Sequence, residues 1–204
     1  MNKQTIVIAR YNEDIRWCLP FIEEVVVYNK GNDDLDYIPQ EKIIKCENLG
    51  REGGTYVKHI IDNYENLSEF TIFLQGRSFD HIHQNNDNIA YLKLRDDINE
   101  EKIYKFKYLT WMFVNVPPEH VEDSGHGLVA LNSMFSAEYL KDVFSVHRNY
   151  TYGAGALFVS HKDQILKHSK EFWIELYSHL QEINPDAGYG LEKLWRFFLE
   201  DGYF

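Results

Sequence analysis

Thr5-Ile-Val-Ile-Ala9 opens a series of short β-branched runs that continues with Glu24-Val-Val-Val-Tyr28, Lys42-Ile-Ile-Lys-Cys46 and Phe70-Thr-Ile-Phe-Leu74. Short apolar runs bounded by polar residues are typical of strands buried on both faces of a parallel sheet. Between the third and fourth runs, residues 54–64 place Val57, Ile60, Ile61 and Tyr64 at helical spacing. Asp14 to Ile22 reads as a short helix interrupted by Pro20, and Asn29-Lys30-Gly31-Asn32-Asp33 as a turn. A β-α-β-α-β order implies an α/β domain with a parallel sheet and right-handed crossovers.

Downstream, the stretch from about Asp80 to Asp123 is polar and irregular. Asn85 to Asn88 has the character of a loop, and the two prolines in Val114 to Pro118 end any regular element. Gly155 to Ser160 reads as a strand. His161 to Ile183 reads as one long helix with Ile165, Phe172, Leu176, Leu180 and Ile183 on one face. Leu191 to Leu199 reads as a last helix burying Leu191, Leu194, Trp195 and Phe198. The 204 residues set the expectation of one domain, 1–204, with a ligand-binding half over 1–83 and a closing half over 84–204. The chain stops at Asp201-Gly202-Tyr203-Phe204 with no polar tail, as in a domain of a longer protein or at a natural end.

Composition narrows the classes. Hydrophobic residues at 44% and charged residues at 26% suit a globular chain that buries a core. A formal net charge of -11 without a basic stripe argues against nucleic-acid or anionic-membrane partners. It leaves room for a phosphorylated small ligand, which needs only a few local donors. Two cysteines, Cys18 and Cys46, are too few for a disulfide framework. No apolar run resembles a signal peptide or reaches the roughly 18 residues of a membrane span. The expectation is a cytoplasmic protein, with the sequons at Asn66 and Asn149 there by chance.

In an open α/β sheet, ligands bind beyond the carboxyl ends of the strands. The segments there are Arg10-Tyr11-Asn12-Glu13-Asp14, Asn29-Lys30-Gly31, Asn48 to Thr55 and Gln75 to His83. All four are polar, three contain glycine, and Arg10, Lys30 and Arg51 put three cations on one rim. Gly50, Gly53 and Gly54 directly precede the predicted helix. Free amides and the positive end of its dipole would favour phosphate there, with Arg51 adding a bidentate contact. The plainer reading is a glycine-rich turn whose Thr55 caps the helix. The pattern is neither a Walker loop nor the dinucleotide fingerprint.

Asp80, with His81 and His83 nearby, could hold Mn²⁺ or Mg²⁺ through carboxylate and diphosphate oxygens, or could form a solvated polar turn. His126 is a further candidate ligand. Glu192, in the last helix after Gly188-Tyr189-Gly190, is either a helix-end charge or a catalytic or sugar-binding carboxylate, with Asp186 as a rival. Gly153, Ala154 and Gly155, beside Tyr150 and Tyr152, form either a small-residue wall admitting a sugar ring or a tight bend before a strand.

In order along the chain, Ile8 to Asp14, Val27 to Gly31, Leu49 to Glu52 with Thr55-Tyr56, Ile60 to Tyr64, and Phe73 to Gly76 with Asp80-His81 resemble a family of unknown function. That family includes the N-terminal glycosyltransferase domain of an algal-virus protein. The similarity covers residues 5–83 and continues more weakly through Gly153–Ser160 and Glu192–Trp195. It implies a GT-A fold, a Rossmann-like, mostly parallel sheet flanked by helices. It also implies a nucleotide-diphosphate sugar donor such as a UDP-sugar, a glycan acceptor, and Mn²⁺- or Mg²⁺-assisted transfer, in a host cytoplasm if the chain is virus-encoded. Under it, Ala9, Arg10, Tyr11, Asn12, Lys30, Gly50, Arg51, Gln75, Gly76 and Arg77 would bind the donor. Asp80 and His83 would hold the metal, Asp80 and Glu192 would be catalytic, and Gly153, Ala154 and Gly155 would face the sugar or acceptor. One departure stands out: the Asp-x-Asp usual in such enzymes is here Asp80-His81-Ile82-His83, without a second carboxylate.

Overall fold

The computed structural model describes residues 3–78, 80–82, 96, 105–115, 134–136, 139, 141–142, 150–182 and 187–202. Its centre is a six-stranded mixed sheet. Strands β1 (Gln4–Arg10), β2 (Val25–Asn29), β3 (Ile43–Lys45) and β4 (Phe70–Gln75) arise from the four apolar runs. They pair in parallel, in the order β3-β2-β1-β4. β5 (Phe106–Tyr108) and β8 (Phe158–His161) extend this sheet, with β8 antiparallel to both β4 and β5. β6 (Phe113–Asn115) and β7 (Thr151–Gly153) form a separate antiparallel pair.

Alternation along each strand separates two cores. Val7, Ala9, Tyr28, Phe73 and Phe158 face a helical layer. That layer consists of α1 (Arg51–Asn63), α2 (Lys162–Ile165), α3 (Lys170–Glu182) and α4 (Ala187–Leu199). Ile6, Ile8, Val25, Val27, Ile72 and Val159 face the other way, against Cys18 and Phe21 of a 3-10 turn and Leu35 and Ile38 of the following loop. Both faces are therefore buried, which is why the runs are apolar without alternation. No helix among the described residues is long and apolar enough to cross a membrane.

Several expectations change. The segment with Pro20 is a 3-10 turn, Arg16–Phe21, and not an α-helix. The long helix from His161 breaks into α2 and α3, and Ile183 lies outside the described residues. The Tyr64 hydroxyl donates to the His168 carbonyl at 2.7 Å, and the Ser169 hydroxyl accepts the Phe172 amide at 3.3 Å, restarting the helix as a cap does. The strand expected at Gly155 begins at Phe158, because Gly155 and Ala156 have φ of 87° and 50°, outside the extended region. The stretch expected to be irregular supplies β5 and β6. Asn85 to Asn88 lies outside the described residues.

The largest change concerns α1. It starts at Arg51, so Gly53 and Gly54 lie inside the helix and Thr55 is a buried helical residue, not its cap. A Cβ on Gly54 would stand 2.0 Å from the Leu49 carbonyl oxygen, and one on Gly53 would stand 2.8 Å from Leu191. These glycines admit close neighbours and do not form a phosphate loop.

Candidate functional site

The parallel strands run β1 to β2 to β3 on one side, and β4 returns on the other side of β1. The switch point thus lies at the carboxyl ends of β1 and β4, where α/β sheets take their ligands. Arg10 ends β1 there, but it is 1% exposed. Its guanidinium donates to the Glu13 carbonyl at 2.9 Å, Asn29 Oδ1 at 2.8 Å and the Asn32 carbonyl at 2.7 Å, and also pairs with Asp34. With those donors engaged, Arg10 fastens the 11–14 and 29–34 loops to each other and is not presented to a ligand.

Asn12 continues this work by accepting the Asn32 amide at 2.9 Å. Ala9 is buried. Gly76 packs under Glu13, where a Cβ would meet Glu13 Oε2 at 2.7 Å, and its carbonyl accepts the Trp17 indole N–H at 2.9 Å. Gln75 accepts the Ser78 hydroxyl through its carbonyl at 2.9 Å. The exposed groups at this rim include the Tyr11 ring, 51% exposed, and the Arg77 side chain.

A second cluster sits where the first turns of α1 and α4 meet. Gly188 brings them together: a Cβ there would be 2.9 Å from the Gly50 carbonyl oxygen. Gly50 and Arg51 are both left-handed, at φ 60° and 53°. Arg51 lies over the Tyr189 ring at 4.0 Å, and its carbonyl accepts the Lys30 ammonium. Glu52 is half-buried beside them. Burial pushes its carboxyl up to about 7, and the nearby Glu192 charge adds to this, against the pull of Lys30 and Arg51. Burial likewise brings Lys30 down to about 8.

Glu192 Oε1 accepts the Gly155 amide at 2.6 Å. Gly155 is held at φ 87°, with the His81 ring where a Cβ would be. Arg51 and Ala156, the only non-glycine positions with positive φ among the described residues, thus both flank this carboxyl pair. Such backbone costs about 1–3 kcal/mol per residue and gathers at functional sites.

Of the three small residues expected to face a sugar, only Gly155 contacts the pair. Gly153 lies on β7 against Tyr108 and Thr110, where a Cβ would clash at 2.5–2.6 Å, so its size serves packing. The Ala154 amide donates to the Met112 carbonyl at 2.9 Å.

Asp80 sits on an exposed turn, 3.3 Å from Arg77 Nε. His83, His126 and Asp186 lie outside the described residues. No group of three His, Cys, Asp or Glu side chains that could hold a metal occurs among the described residues. Asp80, the carboxylate expected to hold a metal, stands beside the Arg77 guanidinium. Sequence reasoning overlooked Glu52, although it directly follows Arg51, because an acid in a helix's first turn ordinarily reads as dipole compensation. Its signal is tertiary: the proximity of Glu192.

These features are those of a mixed α/β domain, compatible with a Rossmann-like fold, with a titratable polar site at the carboxyl edge of its sheet. The chain belongs to the DUF3431 family, described as proteins of unknown function, whose profile matches residues 6–203. No curated protein and no solved structure matches it.

Proposed function

We propose that the protein is a GT-A-type glycosyltransferase that moves a sugar from a nucleotide-diphosphate donor to a hydroxyl acceptor. The observation that carries this reading is the carboxyl pair Glu52–Glu192, with the cations Lys30 and Arg51 beside Glu52 at the carboxyl edge of the sheet. Transfer needs these two kinds of group: cations to stabilise the departing diphosphate, and a carboxylate to accept the acceptor's proton. Tyr11, exposed at the end of β1, would stack on the nucleotide base, and Arg77 and Arg51 would meet the diphosphate. Lys30 donates to the Arg51 carbonyl and so holds the start of α1 in place.

Thermal-shift screening of UDP-, GDP- and dTDP-sugars, with and without Mn²⁺, tests the reading, because a ligand of the folded state raises stability by mass action. Donor-dependent stabilisation followed by sugar transfer to a glycan supports it. Stabilisation without transfer or donor hydrolysis would instead make the domain a nucleotide-sugar-binding module, the reading favoured if the Arg77–Asp80 pair persists in solution. No stabilisation by any nucleotide sugar would refute both.

A further inference from the structure

We infer that the Glu52–Glu192 pair is a subsite for hydroxyl groups of the acceptor, with Glu52 taking the proton, and is not a seat for the donor's phosphates. The inference rests on the transferase reading above, and three features carry it.

The first lies beneath the pair. Tyr56 follows Glu52 by one helical turn on α1, and Trp195 follows Glu192 by one turn on α4, so each carboxylate stands above an aromatic residue on the same helix face. The two rings are 5.9 Å apart and wholly buried. The Tyr56 hydroxyl and the Trp195 indole N–H have no hydrogen-bond partner among the described residues. Both carboxylates act on the Tyr56 hydroxyl, which ties it to the pair electrostatically. Buried polar atoms are ordinarily satisfied by protein, water or ligand. Two such atoms under two carboxylates match the alternating donors and acceptors of a hydroxyl-bearing ligand and its water.

The second is the state of the α1 N-terminus. Gly188 of α4 closes against the Gly50 carbonyl and Gly53 against Leu191, so the start of α1 is packed against α4. Two carboxylates flank what remains, so a phosphate entering there would meet like charge.

The third is a division of labour. The Gly155 amide pins Glu192, whereas Glu52 faces Lys30 from the end of β2, Arg51 and Tyr56 from its own helix, and Glu192 from α4. In the step, the acceptor oxygen bonds to the anomeric carbon as its proton passes to the Glu52 carboxylate. The bond from that carbon to the diphosphate oxygen breaks, and the nucleotide diphosphate leaves with the electron pair. Protonated Glu52 then returns its proton to water. A carboxyl that ionises near neutrality suits both accepting and releasing that proton.

The test uses the full chain with ¹³Cδ-labelled glutamate, the Glu52 resonance being the one lost in Glu52→Gln. Its titration midpoint is followed by NMR alone, with methyl glucoside, methyl galactoside or methyl rhamnoside, and with inorganic pyrophosphate. A hydroxyl donating to the carboxylate favours the charged form, so a glycoside should lower the midpoint. Tyr56→Phe should weaken that response. With a donor that turns over, Glu52→Gln should cut kcat by about 10²-fold or more while donor KM stays unchanged. The inference is overturned if no glycoside moves the midpoint, if pyrophosphate raises it, or if Glu52→Gln turns over normally. Failure of every nucleotide sugar to bind would defeat the transferase reading instead, and the glycoside titration would still decide the subsite.

Discussion

Replacing Glu52 by Gln should stabilise the protein at alkaline pH, and the size of the gain follows from the burial of the carboxyl. An ordinary glutamate ionises near 4.5, whereas Glu52 in the fold is pushed up to about 7. A raised acid contributes stability that is fully present below the unfolded value and lost as pH rises through the folded one. The wild-type protein should therefore lose stability between about pH 4.5 and 8 on account of this group. At about 1.4 kcal/mol per pH unit, the full shift corresponds to about 3 kcal/mol. Gln keeps the size without the charge, but Lys30 then loses an anionic neighbour that favours its charged form. The net gain at pH 9 is thus about 2 kcal/mol, or about 4–8 °C in Tm for a chain of this length. At pH 4, where Glu52 is already neutral, the two proteins should be nearly equal. Urea denaturation at both pH values measures the difference directly. A Glu52→Gln protein no more stable than wild type at pH 9, or a gain of the same size at pH 4, would refute the assignment of a buried carboxyl that resists ionisation.

The acid limb should belong to His59, whose imidazole is buried at 3.1 Å from the Tyr28 hydroxyl and lowered by burial to about 4. A depressed base contributes stability present above its unfolded value, near 6.5, and lost as pH falls toward 4, so His59→Gln should flatten the fall in urea-measured stability across that window. Gly54→Ala should destabilise by about 2–3 kcal/mol, at the upper end for overpacking, because its Cβ would meet the Leu49 carbonyl at 2.0 Å, where backbone must move; a normal Tm would contradict the close approach. Arg51→Gly removes a φ of 53° along with a cation–π contact, so these effects should offset to within about 1 kcal/mol of stability. The same change should weaken nucleotide-diphosphate binding by about 1.5–3 kcal/mol, and unchanged calorimetric affinity would remove Arg51 from the donor site.

The parallel half of the sheet was legible in the chain because burial on both faces leaves no choice but continuous apolar residues. Thr5 to Ala9, Glu24 to Tyr28 and Phe70 to Leu74 all became strands within a residue or so. β5, β6 and β7 were not legible, since each lacks the continuous apolar run that marked the equally short β3. The rim was also readable as polar and cationic, but not the occupation of each group. That Arg10 would be consumed by Asn29, Asn32 and Asp34 depends on loops meeting from different parts of the chain. Gly53 and Gly54 read as a phosphate-binding or helix-capping turn, yet they and Gly188 serve helix contacts with Leu191, Leu49 and Gly50. What the sequence determined by itself was local: which segments bury themselves, and which polar residues the strand ends carry. The tertiary structure alone decided the chemistry, because a carboxyl's proton affinity depends on what surrounds it. Glu52 and Glu192 stand 140 positions apart, and only the packing of α1 against α4 makes each feel the other.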